Sequence, residues 1–327
     1  MVNDCGMPWS LVLAAGEGHR LSSLTTQRGV TVPKQFCTLE LGPSLLQKAV
    51  YRAGTVSPRD RICAVVAAAH SPWWRLQLAA LPPENIISQP SNRGTAVGIL
   101  LPLLYILERD ADARVLLLPS DHHVADEALL AHSLQQAAAR HAASKPEVIL
   151  LGFEPRSPDP ELGYIVPGPD DGSPYREVAR FVEKPSLASA RELTGRGALW
   201  NAFIIAADGR ALLQLFERRC PEVVEALQRI LVRSAAVADR TRALEHLYED
   251  LAVLDFSKHV LQGQEQYLRV LRVPDCGWSD LGTPQRVAEV LATRPACAIN
   301  AEEWRTTLSL AAQQRRLESA QRQTAAV

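Results

Sequence analysis

The stretch "LVLAAGEGHRL", Leu11 to Leu21, runs five apolar residues into a turn with glycines at positions 16 and 18. An apolar run without alternation is what a strand covered on both faces requires. Three more runs match it: "RICAVVAAA" (Arg61 to Ala69), "RVLLLPS" (Arg114 to Ser120) and "EVILLGF" (Glu147 to Phe153). As central parallel strands they need crossover helices, and the intervening sequence has the helical period. "SLLQKAVYRA" opens with a Ser-x-x-Gln capping box, Ser44 and Gln47, and carries Leu45, Leu46, Ala49, Val50 and Ala53 as its apolar positions. Thr95 to Glu108 and Asp126 to Ala143 read the same way. The alternation predicts a doubly wound, mainly parallel α/β sheet with right-handed crossovers.

Beyond Phe153 the texture changes. "EPRSPDPELGYIVPGPDDGSP" is dense in proline and glycine, which predicts turns around a short strand near Tyr164 to Val166. "REVARFVEK" and "ALWNAFIIA" predict two more strands with a helix at Leu187 to Leu193 between them, together a smaller second lobe. Gly209 to Gln262 is helical in pattern, and Gln266 to Val273 alternates as a last strand. The final segment reads as a charged helix with Trp304, Leu308 and Ala311 on one face, expected to pack on the body or on a second copy of the chain. The expected division is one main domain over 1–292, with halves of about 1–153 and 154–292, and a helical tail over 293–327.

Lys plus Arg number 35 against 36 for Asp plus Glu, a net charge of -1, so nothing electrostatic points to nucleic acid or an anionic membrane. A small-molecule partner is expected. The six cysteines are scattered without a C-x-x-C pair and read as reduced thiols. With no basic leader and no long apolar stretch in the sequence, the expected location is the cytoplasm.

The glycine turn lies where backbone N–H groups can approach an anion, and the same loop brings Ala15, Gly16, Gly18 and Arg20 together. It is neither the dinucleotide fingerprint nor a Walker A loop. In "VPKQF", Pro33 stiffens the backbone that carries Lys34, one of only five lysines; Arg20 and Lys34 can bracket one polyphosphate. "RVLLLPSDHHV" ends at Asp121, on the sheet edge where open α/β folds bind ligands. A Mg²⁺ ion there wants carboxylate oxygens. His122 and His123 lack companions at zinc-ligand spacing. Asp280, in "PDCGWSDLGTP", is either a second carboxylate for the metal or a surface-turn aspartate.

Taken in order, "LAAGEGHRL", "PKQF", "SLLQ", "QPSNRGTA", "LLPSDH", "LGYI", "FVEKP", "LWNA" and "WSDLG" resemble the sugar-1-phosphate nucleotidylyltransferases, most closely the mannose-1-phosphate guanylyltransferase branch. The resemblance implies a glycosyltransferase-A-like fold with a nucleotide-binding first half and a sugar-binding second half. It also implies a Mg²⁺-dependent reaction, in which a sugar 1-phosphate attacks the α-phosphorus of a nucleoside triphosphate, expected to be GTP, and releases pyrophosphate. Such chemistry needs positioning and charge neutralisation more than a protein nucleophile. By the same resemblance Arg20 holds the β and γ phosphates and Lys34 neutralises the triphosphate. Ala15, Gly16, Gly18, Gln89, Gly94 and Thr95 line the nucleotide, and Asp121 with Asp280 holds Mg²⁺. Lys184 anchors the sugar phosphate, while Gly163, Glu183 and Asn201 contact sugar hydroxyls. The competing readings are a glycosyltransferase on a related sheet, disfavoured by the missing D-x-D around Asp121, and a non-catalytic nucleotide-binding homologue.

Three positions depart from the family pattern. His19 stands where threonine is usual, and is either a substitute phosphate donor or turned to solvent. Gln89 stands where the guanylyltransferase branch often has glutamate; a carboxamide offers one donor and one acceptor, which suits guanine but also uracil or thymine, so UTP or dTTP with a hexose 1-phosphate is an alternative pair. Phe203 stands where glycine is common, and there a ring narrows the pocket or redirects sugar specificity.

Overall fold

The computed structural model describes residues 6–18, 21–27, 29–39, 42–140, 147–233 and 237–292; His19, Arg20 and the tail expected over 293–327 lie outside the described residues. Among the described residues nine strands form one sheet: β1 Trp9–Ala14, β2 Ile62–Ala67, β3 Ile86–Gln89, β4 Arg114–Pro119, β5 Val148–Phe153, β6 Gly163–Pro167, β7 Tyr175–Val182, β8 Leu199–Asp208 and β9 Leu268–Val273. Their order across the sheet is β3-β2-β1-β4-β8-β5-β9-β7-β6, and β8 also pairs with β6.

The sheet is α/β and mixed, a correction to the mainly parallel one that the sequence predicts. β3, β2, β1 and β4 run parallel, as do β5 and β9. β8 enters between β4 and β5 antiparallel to both, and β6 and β7 are antiparallel to their neighbours. The physical reason is that an apolar run buried on both faces looks the same in either direction. The β8 sequence "LWNAFIIAAD" is buried at eight of its ten positions, with Phe203 and Asp208 the partly exposed ones, and nothing in that pattern carries strand polarity.

Alternation along β1 shows how the two faces are filled. Val12 and Ala14 point into one core, Trp9 and Leu11 into the other. The first core is closed by α1 Leu45–Ala53, with the Ser44/Gln47 capping box formed as the sequence predicts, and by α4 Glu127–Ala139. Between these, α2 spans Ser71–Gln77 and α3 Gly94–Arg109. The second core is closed by α3 together with α6 Gly209–Arg219, α7 Pro221–Arg233 and α8 Val237–Asp250; α5 Leu187–Gly195 and α9 Pro284–Ala292 pack on the first. A bidentate ion pair from buried Arg52 to Glu127, at 2.7 and 2.9 Å, ties α1 to α4. No helix among the described residues is long and apolar enough to cross a membrane.

Candidate active site

A cavity of about 430 Å³ opens at the carboxyl ends of β1 to β4 and reaches across to β6, β7 and β8. Of the residues singled out from the sequence, Ala15, Gly16, Gly18, Gln89, Gly94, Thr95 and Asp121 line its first-half side. Gly163, Glu183, Lys184, Asn201 and Asp280 line the rest. These residues, from separate motifs spread along the chain, share one space.

The glycine turn is shaped by its neighbours. Gly18 has φ +68°, and a Cβ there would meet the Lys34 backbone N at 3.1 Å, so the loop lies directly on the Pro33–Lys34 segment. At Gly16 an added Cβ meets nothing within 4 Å among the described residues, and Gly16 itself lines the cavity. Gln35, not singled out from the sequence although it sits inside the PKQF motif, donates its side-chain amide to Ala14 O at 3.1 Å and Gly16 O at 2.7 Å. It splints the loop to the end of β1, and it also lines the cavity.

Lys34 is buried behind this wall. Its ammonium lies 2.9 Å from Asp121 Oδ2 and donates to Asp280 O at 2.6 Å and Leu281 O at 3.4 Å. It therefore braces the two aspartate segments, which a backbone bridge between His123 and Ser279 also joins, N to O at 2.9 Å both ways. Burial works against the Asp121 charge, yet the Lys34 ammonium beside it holds the carboxyl below the usual carboxylate range. Burial, partly offset by the Asp121 charge and reinforced by Lys34 and Arg52, pushes His122 down to about 4, so its imidazole is neutral near pH 7. Trp278 Nε1 donates to His122 Nδ1 at 3.2 Å, which puts the ring proton on Nε2, 3.7 Å from Asp121 Oδ1. The Asp280 carboxylate accepts from Gly282 N at 3.0 Å and pairs with Arg286, which also pairs with Asp159. Arg286 and Asp159 are separated from each other by more than a hundred residues, so no motif announces them.

On the α3 side, Gly94 has φ +83° and a Cβ there would collide with Leu254 O, so only glycine lets the segment around Leu254 pass. Thr95 Oγ1 accepts from Phe256 N at 2.8 Å and pins that segment. Gln89 is 2% exposed, and its Oε1 has no hydrogen-bond partner among the described residues. A buried acceptor left open on a cavity wall is suited to an N–H donor of a bound molecule.

The far side is built by irregular backbone. β8 bulges between Asn201 and Ile205, four steps that span only Gly152 to Leu150 on β5. Asn201 Nδ2 donates to Ser257 Oγ at 3.5 Å, and Asn201 Oδ1 accepts from Phe203 N at 3.1 Å. Glu183 sits so close to Gly163 that any Cβ there would lie 2.6 Å from its Oε2. Burial first, then the Asp255 charge, pushes Glu183 up to about 7 against the opposing pull of Lys184 and a Ser257 hydrogen bond. Asp255 and Ser257 also line the cavity and were not singled out from the sequence, since an aspartate and a serine in a helical stretch carry no signal of their own. Lys184, Phe203 and Leu281 all have positive φ, at 45°, 58° and 50°; they are the non-glycine residues that do so among those described, and all three lie at or beside this cavity.

This geometry has relatives. The xanthan biosynthesis protein XanB of Xanthomonas campestris is 30% identical over 285 residues, covering 86% of this chain and 58% of that protein. Mannose-1-phosphate guanylyltransferase ManC of Salmonella typhimurium is 30% identical over 299 residues, covering 88% and 60%. The chain thus spans about three fifths of the length of these curated relatives. A crystal structure of a Thermus thermophilus protein, described as a mannose-1-phosphate geranyltransferase, superposes with a TM-score of 0.72 at 30% identity, covering 84% of this chain and 76% of that one. The nucleotidyl transferase family model matches residues 9–294, which takes in the whole nine-stranded sheet and every residue lining the cavity, and the chain belongs to that family.

Proposed function

We propose that the chain transfers the guanylyl group of GTP to mannose 1-phosphate, giving GDP-mannose and pyrophosphate, in a Mg²⁺-dependent reaction in the cytoplasm. The observation that carries this reading is the single cavity, which faces the glycine turn, Gln89 and Asp121 on one side and Gly163, Glu183, Lys184 and Asn201 on the other. Two substrates bound side by side need such a space. The names of the relatives favour guanine and mannose.

In this account the loop at Ala15 to Gly18 and the following Arg20 take the triphosphate, and Lys34 keeps the Asp121 and Asp280 segments together beneath it. The open Gln89 Oε1 accepts from a base N–H. Lys184 holds the sugar phosphate while Glu183 and Asn201 meet sugar hydroxyls. With both substrates held, a phosphate oxygen of the sugar 1-phosphate attacks the α-phosphorus in line and pyrophosphate leaves. Asp121 and Asp280 are the residues that would hold Mg²⁺: both line the cavity, Asp121 is kept ionised, and hard carboxylate oxygens suit that ion, which completes its shell from phosphates and water. When bound, Mg²⁺ supplies neutralisation of the phosphate charge.

A second reading keeps the chemistry and changes the base, because Gln89 Oε1 pairs equally with N3–H of uracil or thymine. Pyrophosphate release measured for GTP, UTP, dTTP, ATP and CTP against mannose, glucose, galactose and N-acetylglucosamine 1-phosphates tests both. Turnover confined to GTP with mannose 1-phosphate supports the first reading, and turnover with UTP or dTTP supports the second. Nucleotide binding with silence across the grid would overturn both in favour of a non-catalytic homologue.

A further inference from the structure

We propose that Phe203 sets the sugar specificity of this site, closing its sugar end against hexose 1-phosphates that carry a substituent larger than a hydroxyl. The inference rests on the reading of the cavity as a sugar-1-phosphate site and deepens it. Phe203 occupies the β8 bulge with φ +58°, a conformation that disfavours every residue with a Cβ. Glycine would sit there without strain, yet the position carries a large ring, and that ring lines the cavity. Strain kept at a cavity wall points to a use for the side chain it displays.

The ring is backed by the second core. Its backbone N–H is tied to Asn201 Oδ1 at 3.1 Å, and the ring meets Phe256 edge-on with centroids 5.8 Å apart. Phe256 is fully buried and packs in turn on Phe216 at 5.4 Å, inside the second core. A close-packed core behind a wall leaves the wall nowhere to move. Asn201, two residues away on the same bulge, is proposed to hold sugar hydroxyls, so the ring stands beside the sugar.

The test compares wild type, Phe203→Ala and Phe203→Gly for kcat/KM with GTP and a panel of sugars. The panel is mannose 1-phosphate and its derivatives bearing an acetamido or O-methyl group at C2, C3, C4 or C6 in turn. The wild type should reject the derivative substituted at one position by about tenfold or more, and both variants should cut that rejection by about tenfold. Since Ala keeps the Cβ and its strain, the Gly variant should also melt above the Ala variant, the reverse of their usual order in a strand. An unchanged rejection profile in all three proteins would overturn the proposal, as would an Ala variant that loses mannose 1-phosphate turnover while rejecting the same derivatives. An Ala variant that melts above Gly would remove the strain on which the argument stands. A wild type silent with every sugar would overturn the reading of the cavity itself.

Discussion

On the side of the cavity proposed to take the nucleotide, parallel β1, β3 and β4 deliver Ala15, Gln89 and Asp121 from their carboxyl ends. Lys34 and Gln35 then brace those ends through buried polar contacts. On the side proposed to take the sugar, antiparallel β6, β7 and β8 deliver Gly163, Glu183 and Asn201 through a strand start, a strand end and a bulge, beside two residues at positive φ, Lys184 and Phe203. The first side draws its precision from charge pairing on regular structure, the second from strained backbone. Charge should therefore control rate on the first side, and shape should control selection on the second.

The sharpest break of that comparison is Asp121→Asn, which keeps the shape and removes the charge. We expect kcat to fall by about 10²–10³ with the fold intact by circular dichroism; near-normal turnover would remove Asp121 from the chemistry. Asp121→Ala is the poorer variant, because it also removes the side-chain oxygen beside the buried Lys34 ammonium, which then keeps the Asp280 and Leu281 carbonyls alone. Next in size, Lys184→Met should raise KM for the sugar 1-phosphate by roughly 10- to 100-fold, the worth of one charge-assisted hydrogen bond, and spare GTP binding measured by calorimetry. A matching loss of GTP affinity would show that the two sides are not separable.

A smaller effect separates the two loop glycines. Gly18→Ala forces a Cβ into φ +68° against the Lys34 backbone and should cost about 1–2 kcal/mol in urea unfolding, whereas Gly16→Ala, with open space around it, should leave stability unchanged. Equal losses would contradict the seating of the loop on Lys34. The smallest expected effect is a pH trend. With Glu183 pushed up to about 7 in the folded chain from the ordinary 4.5, the folded state holds a proton that the unfolded state releases between those values. The stabilisation is complete below 4.5 and is lost as pH rises through 7. The melting temperature of the ligand-free protein should thus decline more steeply between pH 5 and 8 in wild type than in Glu183→Gln, and parallel profiles would reject the burial of that carboxyl.

The same contrast explains what was legible in the sequence. The capping box at Ser44 and Gln47, Asp126 at the start of α4 and the apolar runs of β1, β2, β4 and β5 obey local rules, and each element forms within a few residues of its expected span. In the first half the glycine turn and Asp121 follow from strand ends, whereas Gln89, Gly94 and Thr95 are reached through the family resemblance alone. Strand direction was hidden, because β8 is apolar on both faces and could be threaded either way. Backbone conformation was hidden too: a phenylalanine, a lysine and a leucine at positive φ contradict the residue preferences by which turns are read. Phe203 stood out only as an odd residue in a familiar motif, and its φ supplies the reason why glycine is the easier choice there. Long-range partners such as Asp159 for Arg286 leave no spacing to find.

Whether one cavity joins a nucleotide to a sugar phosphate is decided by a single-turnover experiment with GTP labelled at the α-phosphate. In the presence of Mg²⁺ and mannose 1-phosphate, the account predicts that the label appears in a nucleotide sugar with one pyrophosphate released for each, and that neither product forms when the sugar phosphate is omitted. Label recovered as unreacted GTP with or without mannose 1-phosphate, while both ligands demonstrably bind, would contradict it.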